Sequence, residues 1–227
     1  MRYAVISDIH ANLEAFKAVL KRLETEDISS YISLGDIVGY GADPSECIRL
    51  LRSLGPSASI AGNHDWGVAG LFGIDGFSAH ARAAALWTRK ELKDPEIGYL
   101  RSLPAVHINK KFTLVHGSLE EPEEFNYILT KADAARSMGL LATPLLFVGH
   151  SHSACVYSFE GGEKRVVNAG SIGQPRDRDP RASFVIYDDD TLDVKIVRVE
   201  YDIEKARKKI IDAGLPVFLG DRLREGV

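Results

Sequence analysis

Residues 3–12 read YAVISDIHAN: an apolar run from Tyr3 to Ser7 runs directly into Asp8-Ile-His10. The run is rich in strand-forming residues, which predicts a buried strand. Asn12 then caps an amphipathic helix carrying Leu13, Phe16, Val19, Leu20 and Leu23 at helical spacing. The same grammar continues outward. Tyr31–Leu34 reads as a second buried strand. Asp43-Pro44 opens a helix bearing Cys47, Ile48, Leu50 and Leu51, Gly55-Pro56 stops it, and Ser57–Ala61 is a third strand. Strand alternating with helix predicts βαβ units and a largely parallel sheet, hence an α/β fold.

Further along, Phe77–Leu92, Glu96–Ser102 and Ala132–Leu141 have helical composition, and Leu145–Val148 is another buried strand. Val106–Asn109 and Phe112–Val115 flank Lys110-Lys111 as a hairpin. Beyond residue 150 the strands Ala154–Phe159, Arg165–Asn168, Ser183–Tyr187 and Leu192–Val199 are separated by turn signals and suggest an antiparallel meander. A helix from Ile203 to Ala213 and a short apolar tail follow. With no repeat, linker or low-complexity tract, residues 1–227 are expected to form one domain.

The bulk chemistry is that of an ordinary globular protein: 45% hydrophobic, 26% charged, net charge −4. No cationic excess exists to displace counterions, so no nucleic-acid polymer is expected as partner. Two cysteines, Cys47 and Cys155, make no disulfide framework. The N-terminus is too short in apolar length for a signal peptide, and no window is long enough to span a membrane. A cytoplasmic protein without membrane contact is expected, as monomer or homodimer, the tail Leu215–Leu219 packing either within the chain or across a dimer.

Five short segments place ionisable or amide side chains beside glycine where an apolar strand ends: Asp8-Ile-His10, Gly35-Asp36, Gly62-Asn-His-Asp65, His116-Gly117 and Gly149-His-Ser-His152. Carboxyl ends of parallel strands share one edge of a sheet, so these segments can converge there. One Asp-x-His or His-x-His pair is usually surface decoration. The joint pattern is not, because five of the seven histidines fall inside these segments. Mixed imidazole, carboxylate and amide donors suit Mn, Fe, Zn, Ni or Co. Two such ions roughly 3.5–4 Å apart clamp a phosphate and generate a bridging hydroxide near neutral pH. Asp36, the lone carboxylate of its segment, is the natural bridge.

The order D-x-H, GD, GNHD, HG, GHSH resembles the calcineurin-like metallophosphoesterases, and most of all their small bacterial and archaeal phosphodiesterase-type members. The motifs span Asp8 to His152, about two thirds of the chain. The resemblance implies a four-layer α/β/β/α sandwich with two mixed sheets and two divalent ions, manganese first among them. One ion would take Asp8, His10, Asp36 and His152, and the other Asp36, Asn63, His116 and His150. His64 would donate a proton to the leaving oxygen, a role suited to imidazolium placed opposite the attacking hydroxide. Asp65 would either orient His64 or simply shape the turn.

The implied activity is hydrolysis of small phosphodiesters or phosphomonoesters, with nucleotides among the candidates. The protein phosphatases of this superfamily carry an arginine in GDxxDRG. Here the text is Gly35-Asp-Ile-Val-Gly-Tyr-Gly41, which argues against phosphoprotein substrates. Ala11 also stands where small members often have glycine. The alternative is a non-catalytic scaffold or metal sensor on the same fold. The loop Asn168–Asp177 resembles one that relatives set beside the site. Arg176 can match a phosphate oxygen, or it belongs to a solvated loop of ion pairs with Asp177, Arg178, Asp179 and Arg181. His80 and His107 lack motif context. Tyr40 and Trp66 line the pocket or pack, and the loops 40–43, 66–77 and 120–126 would shape selectivity.

Overall fold

The computed structural model describes all 227 residues. The first half alternates β1 (Arg2–Ile6), α1 (Leu13–Leu23), β2 (Ser30–Ser33), α2 (Pro44–Ser53) and β3 (Ala58–Ser59). Helices α3 (Asn63–Ala69), α4 (Ala79–Glu91) and α5 (Asp94–Ser102) follow. Then come β4 (Val106–Ile108), β5 (Thr113–Val115), α6 (Lys131–Gly139), β6 (Leu145–Val148), β7 (Cys155–Phe159), β8 (Lys164–Asn168), β9 (Ala182–Asp188) and β10 (Asp193–Val199). Helices α7 (Ile203–Asp212) and α8 (Val217–Asp221) end the chain. As expected, Asn12 caps α1, its side-chain oxygen accepting the Ala15 N–H at 3.1 Å. None of the helices is long and apolar enough to cross a membrane.

The strands form two mixed five-stranded sheets, in the orders β10-β9-β1-β2-β3 and β4-β5-β6-β8-β7. In the first, β1, β2 and β3 are parallel and β9 and β10 antiparallel. In the second, β5, β6 and β8 are parallel, with β4 and β7 antiparallel at the edges. The expected meander after residue 150 does not exist as one unit. The β7–β8 hairpin joins the second sheet through β6, and the β9–β10 hairpin crosses to the first sheet and pairs with β1. A hairpin's alternating pattern does not say which sheet its free edge will meet.

Alternation along the strands builds the layers. Tyr3 and Val5 of β1 face Phe112, Leu145, Phe147 and Tyr187 between the sheets. Ala4 and Ile6 face the opposite way, onto Phe16, Val19, Ile48 and Leu51 of α1 and α2. On the second sheet Leu146, Val148 and Val166 pack under Ala134 and Met138 of α6. The result is helix, sheet, sheet, helix. The central layer is aromatic: Phe112 meets Phe147 edge-on at 5.8 Å and Tyr3 at 5.6 Å. Each pair contributes about 0.5–1.5 kcal/mol beyond area burial.

The C-terminal segment is fastened to this body. Lys209 of α7 bonds Asp43 at 2.9 Å and the buried carboxylate of Glu14 at 2.9 Å, joining α7 to α1 and to the start of α2. Of the apolar tail, Leu215 and Leu219 are buried inside the chain, while Val217 and Phe218 are exposed.

Candidate metal centre

Asp8 and His10 follow β1, Asp36 follows β2, Asn63 and His64 follow β3, His116 follows β5, and His150 and His152 follow β6. All five strands belong to the parallel cores, so their carboxyl ends meet at one edge. To point inward there, Asp8, His10, Asp36, His150 and His152 adopt left-handed backbone angles (φ 52°, 48°, 50°, 64° and 59°). Side chains with a Cβ rarely hold that conformation, and it gathers where function demands it. The neighbouring glycines are required by space: a Cβ on Gly62 would overlap the Asp36 carboxylate, and one on Gly149 would overlap Ser7.

The histidines are held in one tautomer. His10 Nδ1 donates to the Val38 carbonyl at 3.0 Å, His116 Nδ1 to Leu34 at 2.7 Å and His152 Nδ1 to Gln174 at 2.5 Å. Each therefore turns its Nε2 into the site, as metal-ligating histidines do. His10 Nε2 and His152 Nε2 face each other at 3.0 Å, two lone pairs that repel unless a proton or cation lies between them. Each carboxylate keeps one oxygen free. Asp8 Oδ2 accepts from Ser7 Oγ at 2.5 Å and the His150 N–H at 3.2 Å, and Asp36 Oδ1 accepts the His64 N–H at 2.8 Å. Asp8 Oδ1, Asp36 Oδ2, Asn63 Oδ1 and His116 Nε2 are buried with no hydrogen-bond partner. Four orphaned polar atoms at one place are costly unless something binds them.

The donor atoms fall into two overlapping groups. Those of Asp8, His10, Asp36 and His152 lie within 4.8 Å of one another, as do those of Asp36, His116 and His150. Asp36 belongs to both, its Oδ2 3.5 Å from His10 Nε2 and 3.3 Å from His116 Nε2. The residues present therefore fit divalent cations in donor chemistry and in their unsatisfied atoms.

Electrostatics follow from the burial. Burial alone would raise the carboxyl of Asp8, but the imidazoles of His152, His10 and His116 hold it well below the usual range. Asp36 is likewise driven far down, chiefly by His116 and His64 against its own burial. Burial pushes His150 down to about 3 and His152 to about 4, which keeps both as neutral ligands. His116 behaves oppositely: burial opposes its charge, but Asp36 and Asp8 raise it from 6.5 to about 9. A raised histidine contributes stability that is fully present below pH 6.5 and lost as pH rises through about 9. Metal-stripped protein should accordingly melt at progressively lower temperature across that window, and His116→Asn should flatten the fall. Metal affinity should rise over the same window, because the proton on His116 must leave. A flat melting profile in the stripped wild type would refute the assignment.

His64 lies on the first turn of α3, a helix that sequence periodicity did not indicate because it is seven residues long and mostly small or polar. Its ring packs at 4.4 Å from Tyr40, 4.7 Å from Phe77 and 5.0 Å from His10. Its Nδ1 rests against Gly39 without a partner. Asp65 does not orient it. Asp65 Oδ1 accepts the N–H groups of Ile37 and Val38 at 2.9 and 3.3 Å, and Oδ2 accepts that of Gly62 at 3.1 Å. Asp65 thus shapes the turn, pinning the Asp36 loop to the start of α3. Burial and the charge of Asp36 raise its carboxyl to about 7, against the pull of those N–H donors.

Arg176 stands apart from the ion pairs of its loop, where Asp177 is taken by Arg198 and Asp179 by Arg181. It bonds only Gln174 Oε1, at 2.8 and 3.3 Å, and lies 5.5 Å over the Tyr40 ring. The stretch before it is a strap that residue types alone did not reveal. Ser171 Oγ donates to the Asp8 carbonyl at 2.8 Å, Asn12 reaches Gly173 O at 2.8 Å, and Asn168 reaches Gly149 O at 2.8 Å. With Gln174 O on His152, this strap ties the Asp8 and His152 segments together; its glycine-rich text after a strand and its resemblance to a loop of relatives were the only signals. Tyr127, stacked on His150 at 3.9 Å, was also missed. His80 stacks on Phe218 away from the centre, and His107 lies on β4.

The centre opens into a cavity of about 910 Å³ lined by Asp36, Asn63, His64, His150 and His152 at its base. Its walls come from Tyr40, the stretch from Trp66 to Phe77 and that from Glu123 to Tyr127, with Arg176 and Arg222. Each of the three loops singled out in the sequence thus contributes to the walls, the first through Tyr40 alone and the third from Glu123 onward.

Residues 1–191 match the calcineurin-like phosphoesterase superfamily domain. The chain belongs to that superfamily. Its members are divalent-metal-dependent phosphoesterases, and the clustered Asp and His groups here are able to bind metal. An uncharacterized protein of Methanocaldococcus jannaschii is 42% identical over 238 residues, covering 97% of this chain and 96% of that one. A metallophosphoesterase of Sphaerobacter thermophilus has a similar crystal structure: TM-score 0.88, 40% identity, covering 100% of this chain and 99% of that one. A symmetrical bis(5'-nucleosyl)-tetraphosphatase of Aromatoleum aromaticum is 31% identical over 123 residues, 52% of this chain and 45% of the relative. This chain thus spans less than half of that enzyme's length.

Proposed function

We propose that this superfamily member is a hydrolase of small phosphodiesters or phosphomonoesters, with nucleotides among its substrates, working through a binuclear centre. The observation that carries the reading is the pair of orphaned carboxylate oxygens, Asp8 Oδ1 and Asp36 Oδ2, set among imidazole lone pairs. Asp8, His10, Asp36 and His152 would hold one ion, and Asp36, Asn63, His116 and His150 the other. Manganese, or iron, nickel, cobalt or zinc, would there supply Lewis-acid polarisation of the phosphoryl group and a water of lowered pKa.

The chain's own residues do the rest. Nδ1–H bonds to main-chain carbonyls fix the rings of His10, His116 and His152. The strap from Asn168 to Gln174 keeps the two halves of the centre in register. His64, its Nδ1 side closed by Gly39, presents its other edge to the cavity and would hand a proton to the leaving oxygen. Arg176 would meet a non-bridging phosphate oxygen, and Tyr40, Phe77 and Phe125 exclude water. A nucleotide-sized ligand suits the cavity and accords with the nucleosyl-tetraphosphatase activity for which the Aromatoleum relative is named.

The test is hydrolysis of bis(p-nitrophenyl) phosphate and p-nitrophenyl phosphate by metal-stripped protein, with Mn²⁺, Ni²⁺, Co²⁺, Zn²⁺ or Mg²⁺ restored singly. Turnover that returns with metal is expected, and the ratio of the two substrates separates diesterase from monoesterase. Bound metal without turnover would turn the reading to a scaffold or metal sensor.

A further inference from the structure

Two guanidinium groups, Arg176 and Arg222, line the same cavity without an ion-pairing side chain. Arg176 bonds only the Gln174 amide oxygen, and Arg222 bonds a carboxylate oxygen of the last residue, Val227, and lies 5.2 Å over Phe218. Arg222 is half-buried, and its burial together with the charge of Arg176 depresses its own proton affinity. Arg176 has no anionic partner and Arg222 has only the exposed end of the chain, so an anion entering the cavity is attracted by both guanidiniums. Arg222 also sits outside the matched superfamily domain, on the turn after α8, in a segment bolted to α1 by Lys209. Across the cavity rim, Glu123 and Glu124 would repel a second anion, and Trp66, Phe72 and Phe125 form an edge-to-face aromatic cluster. One wall is therefore cationic and another aromatic.

We infer that Arg222, with Arg176, forms a subsite for a second phosphoryl group, so that the substrate is a diphosphate-bearing or longer phosphoester whose organic end rests on the aromatic wall. The inference rests on the phosphoesterase reading for the scissile phosphate at the metal centre. Arg176, tied through Gln174 to His152, spans both phosphates, and Arg222 reaches only the distal one. Guanidinium suits this task because its planar fork grips phosphate oxygens in pairs.

The test is calorimetric titration of the metal-loaded protein with adenosine α,β-methylenediphosphate and with AMP. Wild type should prefer the diphosphate. Arg222→Gln, which keeps a donor for Val227, should weaken diphosphate binding about 30-fold and erase the preference. Arg222→Lys should retain part of it, because the charge remains. A wild type that binds neither ligand or does not discriminate, a preference unchanged in Arg222→Gln, or equal losses for both ligands would each overturn the subsite. Failure of the catalytic reading would look different: no turnover of p-nitrophenyl substrates with any metal, while the binding difference between the two nucleotides persists.

Discussion

Asp36→Asn is expected to remove metal-dependent turnover while leaving the fold standing. The amide oxygen of the substituted side chain can still accept the His64 N–H that Asp36 Oδ1 now takes at 2.8 Å, so the loop keeps its anchor. The other atom changes character. Asp36 Oδ2 is an acceptor shared between the two ligand groups, and an NH₂ in its place donates and cannot ligate. Loss of a group that merely orients a ligand costs about 10–100-fold, so loss of a shared ligand should exceed about 100-fold in turnover. The variant should also lose the rise in melting temperature that Mn²⁺ gives the wild type by binding the folded state. Without metal it should melt somewhat below stripped wild type at neutral pH, because the charge that holds His116 protonated is gone, while relief of repulsion with Asp8 and Asp65 offsets part of that loss. A variant that keeps both turnover and the metal-induced rise would remove Asp36 from the centre. One that melts far below stripped wild type would make it a structural keystone.

Much of this site was legible in the text because its residues sit where strands end. An apolar run followed by Asp8-Ile-His10, or by Gly149-His-Ser-His152, declares both a strand and a turn that must be occupied by something polar. What could not be read depends on partners distant in sequence. Asp65 follows His64 directly, yet its carboxylate belongs to the backbone of residues 37, 38 and 62. Ser171 and Gln174 look like loop residues until their bonds to Asp8 and His152 are seen. Arg222 stands 46 positions beyond Arg176, in a tail with no motif, and only the docking of α7 and α8 brings it to the cavity. The mixed character of both sheets was hidden for the same reason: register within a hairpin is local, and the edge it joins is not.

The left-handed backbone at Asp8, His10, Asp36, His150 and His152 shows what the fold gives up to make the centre. Such residues are strained, and two of them, Asp8 and Asp36, also present an unsatisfied buried oxygen. Bound cations would relieve the second penalty and offset the first. The strap, the Asp65 turn and the Nδ1 bonds act as a frame around that strain, so stability and metal occupancy should be coupled throughout this edge of the molecule.

Removing the imidazole of His64 should separate chemistry from architecture. The main-chain N–H of residue 64, which holds Asp36, survives in His64→Ala, so metal binding should persist. Burial pushes the His64 imidazole well below its usual range, Asp36 opposes only part of that shift, and a docked phosphate would have to raise it further for the ring to carry the proton it donates. A proton held this way is worth most to a leaving group that cannot depart as an anion. Alkyl esters such as nucleoside monophosphates should therefore slow by about 10²–10⁴-fold in His64→Ala. p-Nitrophenyl phosphate, whose phenolate leaves unaided, should slow far less. Free imidazole, entering the space between Tyr40 and Phe77, should restore part of the alkyl activity, most strongly at low pH where it is protonated. Equal losses on both substrates without rescue would mean that His64 only shapes the cavity, and the proton would have to come from solvent.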